Sequence, residues 1–363
     1  MEKLFLACRA LLLASVVLTA LVVVAACGSG GAGPEADPVP DPEPGDDGGS
    51  LEDAELIVYS GRSKTLVDPI LRSFSDDTGI KVGVKYASSS ELVATILEEG
   101  LNSPADVVFL QDTGALGALA QAGMLGRLPD ELMTRVDSRF RSPSGVWVGT
   151  SGRARTVVYN TESINPDQDL PASIMGFTDS KWQGRLGWAP TNGSFQAFVT
   201  ALRIQLGDDQ ARAWLKGIEA NDPNVYANNT SIVVAAASGE IAVGFVNHYY
   251  LHRFLAEEGE SFGARNQYYV GGDPGALVNV AGVGILNTTD DLPAAERFVD
   301  YMLEQKAQVY FSEETFEFPL LPGVDSPAGA PSLESLDPPD IDLGALEDLR
   351  GTLALLQELG ILG

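Results

Sequence analysis

From Glu55 onward the chain alternates short apolar runs with amphipathic helical stretches, and that alternation leaves few folds open to it. Residues 56–59 read as a strand and 66–78 as a helix closed by Gly79, the usual left-handed cap. Residues 80–86 give the next strand, Ser88-Ser89-Ser90-Glu91 supply caps for a helix over 92–99, 106–110 form a third strand and 114–122 a small-residue helix. A βαβαβα series builds a parallel sheet with helices on both faces. A second series opens near Thr150, with strands at 154–159, 186–189 and 241–247 and helices at 195–206, 209–219 and 231–238. Residues 282–286 read as a strand returning to the first lobe, followed by a helix at 293–304 and an amphipathic helix over 343–359. The expected fold class is α/β: two lobes, each a mainly parallel sheet with flanking helices, and a cleft at the carboxyl ends of the strands.

The N-terminal stretch is of another kind. Lys3 and Arg9 accompany an almost wholly apolar run over 11–24, and Val24-Ala25-Ala26-Cys27-Gly28 resembles the bacterial lipobox. Residues 1–26 are thus expected to be a lipoprotein signal peptide, Cys27 the lipid-modified first residue of the mature chain, and 27–53 an acidic, Pro/Gly-rich tether. The apolar run falls short of the roughly 20 residues that span a bilayer. The protein is expected to be exported and held by its lipid on the outer face of the cytoplasmic membrane, at the cell surface or in the periplasm. Both cysteines, Cys8 and Cys27, lie in this region, so the folded part can hold no intrachain disulfide. Its roughly 310 residues suffice for two domains: 54–150 with about 280–325 as lobe 1, 151–279 as lobe 2, and 326–363 as a C-terminal segment with a helix. A formal charge of −27 argues against nucleic acid as a partner, and a monomer is expected.

Four polar clusters fall at strand ends. Tyr59-Ser60-Gly61-Arg62-Ser63 turns into a helix whose free N–H groups favour anions, although an ordinary strand-to-helix turn explains it equally. Gln111-Asp112-Thr113-Gly114 follows the third strand, where Asp112 or Thr113 simply caps the next helix in the plainer reading. Thr150-Ser151-Gly152-Arg153-Ala154-Arg155 reads as a small-polar loop with two guanidinium groups, either an oxyanion site or a crossover paired with acidic surface. Asn247-His248-Tyr249-Tyr250 is the sharpest: at a strand-to-helix corner two phenol oxygens can converge, and a pair of phenolates is a hard anionic site that suits Fe(III). Adjacent tyrosines are also common core aromatics, and Tyr268-Tyr269, without the Asn-His lead, reads as structural. His248 and His252 have the i, i+4 spacing of a helical metal pair but no glutamate base between them. No Gly-x-Ser-x-Gly elbow occurs, and nothing in the sequence supports catalysis.

Six strings together resemble the ferric-iron-binding solute-binding proteins of ABC importers: Val58-Tyr59-Ser60-Gly61-Arg62-Ser63, Pro104-Ala105-Asp106-Val107, Ser151-Gly152-Arg153-Ala154-Arg155, Ala189-Pro190-Thr191-Asn192-Gly193-Ser194-Phe195, Val246-Asn247-His248-Tyr249-Tyr250 and Asn279-Val280-Ala281-Gly282. The resemblance implies a type II periplasmic-binding-protein clamshell, not an enzyme, with an ABC permease and its ATPase as partners. It implies Tyr249 and Tyr250 as metal ligands, and Ser151, Gly152, Asn192 and Asn247 around a synergistic phosphate or carbonate. Apart from the resemblance, Arg62 is expected to assist by pairing with the anion across the cleft. The chain carries Ser63 and Gln111 where relatives have histidine and glutamate ligands, so its first lobe offers weaker donors. Arg153 and Tyr159 are further cleft candidates. The alternative is the same fold binding an organic anion, such as a phosphonate, or a thiamine-like or polyamine-class solute.

Overall fold

The computed structural model describes residues 54–362; the expected signal peptide, Cys27 and the tether lie outside the described residues. Ten strands form one continuous sheet: β1 (Leu56–Ser60), β2 (Val82–Tyr86), β3 (Val107–Leu110), β4 (Val148–Asn160), β5 (Leu186–Trp188), β6 (Asn224–Val225), β7 (Val243–Asn247), β8 (Ala264–Gln267), β9 (Val278–Ile285) and β10 (Phe318–Pro319). The order is β2-β1-β3-β9-β4-β7-β5-β6, with β8 and β10 also pairing with β4. The βαβ units run parallel, β1 with β2 and β3, and β5 with β6 and β7. The strands that join the two halves run antiparallel, β9 with β3 and β4, and β7 with β4.

The thirteen-residue strand β4 carries the chain from one half to the other. Its first part pairs with β9, from Val148↔Val283 to Ala154↔Val278; its second pairs with β7, from Arg155↔Asn247 to Tyr159↔Val243. Thr150–Arg153 was expected to be a loop and is strand instead. Ser151 and Gly152 pair with β9 on one side and β10 on the other, so ladder bonds occupy the backbone that would have formed an oxyanion site. Short apolar patterning at 154–159 hid the longer strand, because small and charged residues occupy its first half.

Ten helices of nine residues or more cover the sheet: α1 (Lys64–Thr78), α2 (Ser89–Glu99), α3 (Thr113–Gln121), α4 (Gly193–Leu206), α5 (Asp208–Glu219), α6 (Asn229–Ala237), α7 (Tyr249–Glu258), α8 (Leu292–Met302), α9 (Gln305–Glu313) and α10 (Leu349–Glu358). Gly79 closes α1 at φ 78°, and Ser88 with Glu91 forms a complete capping box on α2. The single helix expected over 343–359 is broken into a 3₁₀ turn, Leu343–Glu347, and α10. The break is at Asp348, whose carboxylate accepts from the Gly351 N–H at 3.1 Å and pairs with Arg203 at 2.9 Å. This C-terminal segment packs on α3 so closely that a methyl on Gly117 would lie 2.2 Å from the Gly344 carbonyl oxygen. On its other side Thr352 and Thr200 share a hydroxyl hydrogen bond at 2.7 Å, fixing α10 to α4.

In the second half the core is aromatic. Phe195 of α4 meets Trp188 edge-on, Phe198 meets Trp214, and Trp214 in turn meets Phe245, with ring centroids 5.4–5.6 Å apart in each pair. Each such pair adds about 0.5–1.5 kcal/mol beyond the area buried. The start of α4, which faces the cleft, is therefore rigidly seated.

Candidate functional site: an interlobe cleft

A cleft of about 840 Å³ opens between the sheet halves. Its walls are the N-terminal turns of α2 (Ser88–Glu91), α3 (Asp112–Ala115) and α4 (Asn192–Gln196), the first residues of α7, and Arg153 and Arg155 from β4. Helix N-termini carry partial positive charge, so three of them aimed at one space favour an anion there.

Tyr249 and Tyr250 sit where β7 passes into α7, as the Asn-His-Tyr-Tyr pattern predicts. Their rings stack with centroids 4.3 Å apart and an interplanar angle of 29°, and both line the cleft. Burial, followed by the neighbouring Tyr249 and a hydrogen bond to it, pushes the Tyr250 phenol well above its ordinary pKa; Arg253 and Arg153 work in the other direction. The Arg253 guanidinium lies 5.0 Å from the Tyr249 ring centroid and 5.7 Å from that of Tyr250. Two meeting phenol oxygens flanked by cations, of which that of Tyr250 is reluctant to ionise alone, suit a multiply charged metal.

His248 is bound elsewhere. Its Nδ1 accepts the Ala154 N–H at 3.1 Å, its backbone N–H donates to the Ala154 carbonyl at 3.0 Å, and burial holds its pKa well below the ordinary imidazole value. His252 meets the Tyr268 hydroxyl at 3.0 Å, and burial lowers it to about 4. The i, i+4 pair is thus a core contact, with rings 5.8 Å apart; Tyr269 is buried, and Tyr268 is partly buried against the core. No cluster of three or more His, Cys, Asp or Glu able to hold a metal occurs among the described residues.

The expected anion residues divide. Asn192 and Asn247 are on the cleft wall, joined through Asn229, whose side chain donates to Asn192 Oδ1 at 3.1 Å and accepts the Asn247 N–H at 3.1 Å. Asn229 escaped the sequence reading because an asparagine in the first turn of a helix resembles any cap. Arg62, Ser151 and Gly152 are corrections. Arg62 is wholly buried and its Nη2 donates to Glu317 Oε2 at 2.9 Å; the Ser151 hydroxyl donates to the same oxygen. Gly152 is packed against Val278 and Phe318. None of the three lines the cleft, because Glu317, which carried no sequence signal, draws two of them inward.

Gln111 and Arg153 do line it, and Arg153 Nη2 donates to the Gln111 carbonyl, bridging β4 to the end of β3. Ser63 shares a hydrogen bond with Thr65 at 3.0 Å at the start of α1 and lies off the cleft wall, as does half-buried Tyr159.

Residues 70–335 match the family described as bacterial extracellular solute-binding protein. The chain belongs to that family. It is 32% identical over 312 residues to the major ferric iron-binding protein of Neisseria meningitidis serogroup B, covering 85% of this chain and 93% of that one. Iron-bound HitA from Pseudomonas aeruginosa superposes with a TM-score of 0.76 at 32% identity, over 84% of this chain and 99% of that one. Trichodesmium IdiA/FutA in complex with iron and citrate superposes with a TM-score of 0.75 at 25% identity, over 84% and 99%. The fold is the type II periplasmic-binding-protein clamshell, and the family's work is solute binding, not catalysis. The matched residues stop at 335, so α10 and the turn before it lie beyond the match.

Proposed function

We propose that the cleft captures Fe(III) between the lobes and presents it to an importer. The observation that carries this reading is the stacked Tyr249–Tyr250 pair on the cleft wall, with hydroxyls in contact at the head of α7. In this reading the phenolates of Tyr249 and Tyr250 bind iron, Asn192 and Asn247 face the accompanying anion, and Arg153 reaches across from β4. The likeness to iron-binding relatives supports it.

Lobe 1 comprises 54–150 with about 280–325, lobe 2 comprises 151–279, and 326–363 is a C-terminal segment. Ligand held by both lobes stabilises the closed form, which an ABC permease with its ATPase then recognises. Cys27 carries the lipid that keeps the protein at the outer face of the membrane, and the acidic tether gives it reach.

A spectrum tests the iron assignment. The full-length chain, purified in mild detergent and loaded with ferric citrate plus phosphate or carbonate, should show a visible tyrosinate-to-iron charge-transfer band after excess metal is removed. Tyr249→Phe and Tyr250→Phe should each abolish or strongly shift it. A parent protein without band or retained iron overturns the metal assignment. The second reading, an organic anion without iron, is favoured by Arg153 and Arg155 on the same wall and would then take its place.

A further inference from the structure

The last stretch of the described chain holds on to both halves of the molecule, the first built on β1–β3 with α1–α3 and the second on β5–β7 with α4–α7. It leaves the second half at Leu336 and Asp337, whose carbonyls accept the N–H groups of Gly271 and Gly272 at 3.3 and 2.8 Å. It returns to that half at α10, where Thr352 meets Thr200, Asp348 pairs with Arg203 at 2.9 Å, and Glu358 accepts from both terminal nitrogens of Arg212 at 2.6 and 2.9 Å. Between these anchors the chain lies against the first half.

The two attachments differ in kind. On the first half the segment rests on the face of α3 that carries Gly114 and Gly117, where an added methyl would stand 2.8 Å from the Leu346 carbonyl oxygen and 2.2 Å from that of Gly344. Among the described residues no backbone hydrogen bond joins 338–347 to α3. The polar links to the first half run through side chains: Gln121 donates to Glu347 at 2.9 Å, and Arg139 reaches the Pro338 carbonyl at 3.4 Å and Asp337 at 3.5 Å. Leu343 and Leu346 are buried in this position, so lifting the segment returns apolar surface to water.

No slack separates the two grips. Glu347 is held by Gln121 of α3, and the very next residue, Asp348, by Arg203 of α4. The N-terminal turns of α3 and α4 belong to different halves and both wall the cleft. Adjacent Cα atoms are only about 3.8 Å apart, so these helices part only if one grip yields. The hydrogen-bonded and ion-paired anchors keep α10 on α4; the smooth contact with α3 is the one that gives way.

We propose that residues 338–347 form a latch, carried by the second half, that rests on the glycine face of α3 and holds the cleft narrow before any ligand arrives. The cleft opens when the latch lifts. Leu346, Glu347 and Leu349 line the cleft, so a solute seated there meets the latched segment directly. The inference rests on the two-lobe part of the reading above and not on iron.

The test measures the gap between the halves. In the full-length chain with Cys8→Ser and Cys27→Ser, purified in mild detergent without metal, spin labels sit on exposed positions in opposite halves, Leu97→Cys on α2 and Val225→Cys on β6. Pulsed electron paramagnetic resonance reads their separation. A control pair, Leu97→Cys with Leu292→Cys on α8, lies outside the second half. Gly117→Ala, which drives a wedge under the latch, and a chain ending at Asp342 should both shift the first pair to longer and broader distances and leave the control pair unchanged. Thr200→Val, on the anchor side, should leave both pairs as in the parent, because Arg203 and Arg212 still hold α10. A folded Gly117→Ala whose first-pair distances superimpose on those of the parent overturns the proposal, and this variant decides alone if the shortened chain does not fold. An equal shift of the control pair overturns it too, since the loosening would then lie within the first half. The labels are read without iron, so failure of the ferric reading shows instead as a missing tyrosinate band and leaves the distances standing.

Discussion

Arg62 and Glu317 form an ion pair at 2.9 Å with their side chains 0% and 2% exposed, joining the loop after β1 to the approach to β10. Burial alone would raise the Glu317 carboxyl; Arg62 and then Arg153 outweigh it and hold it below the ordinary carboxylate range. Removing one partner strands the other charge, so Glu317→Ala should cost about 3–5 kcal/mol in chemical denaturation. Arg62→Met with Glu317→Leu should recover most of that loss. Because the folded pKa is depressed, the stabilisation is complete above the unfolded carboxylate value of about 4.3 and is lost as pH falls through the folded one. The parent should therefore lose melting temperature in acid more steeply than Glu317→Gln.

In the ferric reading proposed above, iron binding at Tyr250 displaces a phenolic proton that burial makes hard to remove. Affinity for Fe(III) should fall with falling pH, about tenfold per pH unit for each proton displaced. Competition titrations against a chelator at several pH values measure the slope. A flat profile would sink tyrosinate ligation.

Asn229 links Asn192, Ser194 and Asn247 from inside the wall. Asn229→Ala leaves the buried Asn247 N–H without its acceptor, at a cost of about 1–3 kcal/mol. Weaker iron retention should accompany the lower melting temperature, whereas Ser238→Ala, remote from the cleft wall, should leave iron retention unchanged.

At Gly117 the helix and the C-terminal segment touch backbone to backbone, and an added methyl would collide with the Gly344 carbonyl oxygen. Gly117→Ala should destabilise by about 1–3 kcal/mol. Hydrogen exchange should quicken first in 343–358, not in the sheet; unchanged exchange there would refute the close packing.

Residues 56–122 were legible because each strand and helix there carries its own period and its own cap, down to the Ser88–Glu91 box and Gly79. The corner at Tyr249–Tyr250 was legible for the same reason, being local. What was hidden depends on partners far along the chain. Strand β4 lacks apolar alternation in its first half because β9 and β10 flank it there, and Arg62 turns inward only because Glu317, 255 residues on, is waiting. Arg155 was visible as a residue and not as an unsatisfied one, since its isolation follows from what Phe195 and Phe198 surround.

Leu346, Glu347 and Leu349 stand in the cleft wall, on a segment fastened to α3 on one side and α4 on the other. One flank of the cavity is thereby built from chain that lies beyond the family match, so a truncation before residue 343 would strip that flank from the cleft while leaving the matched residues in place.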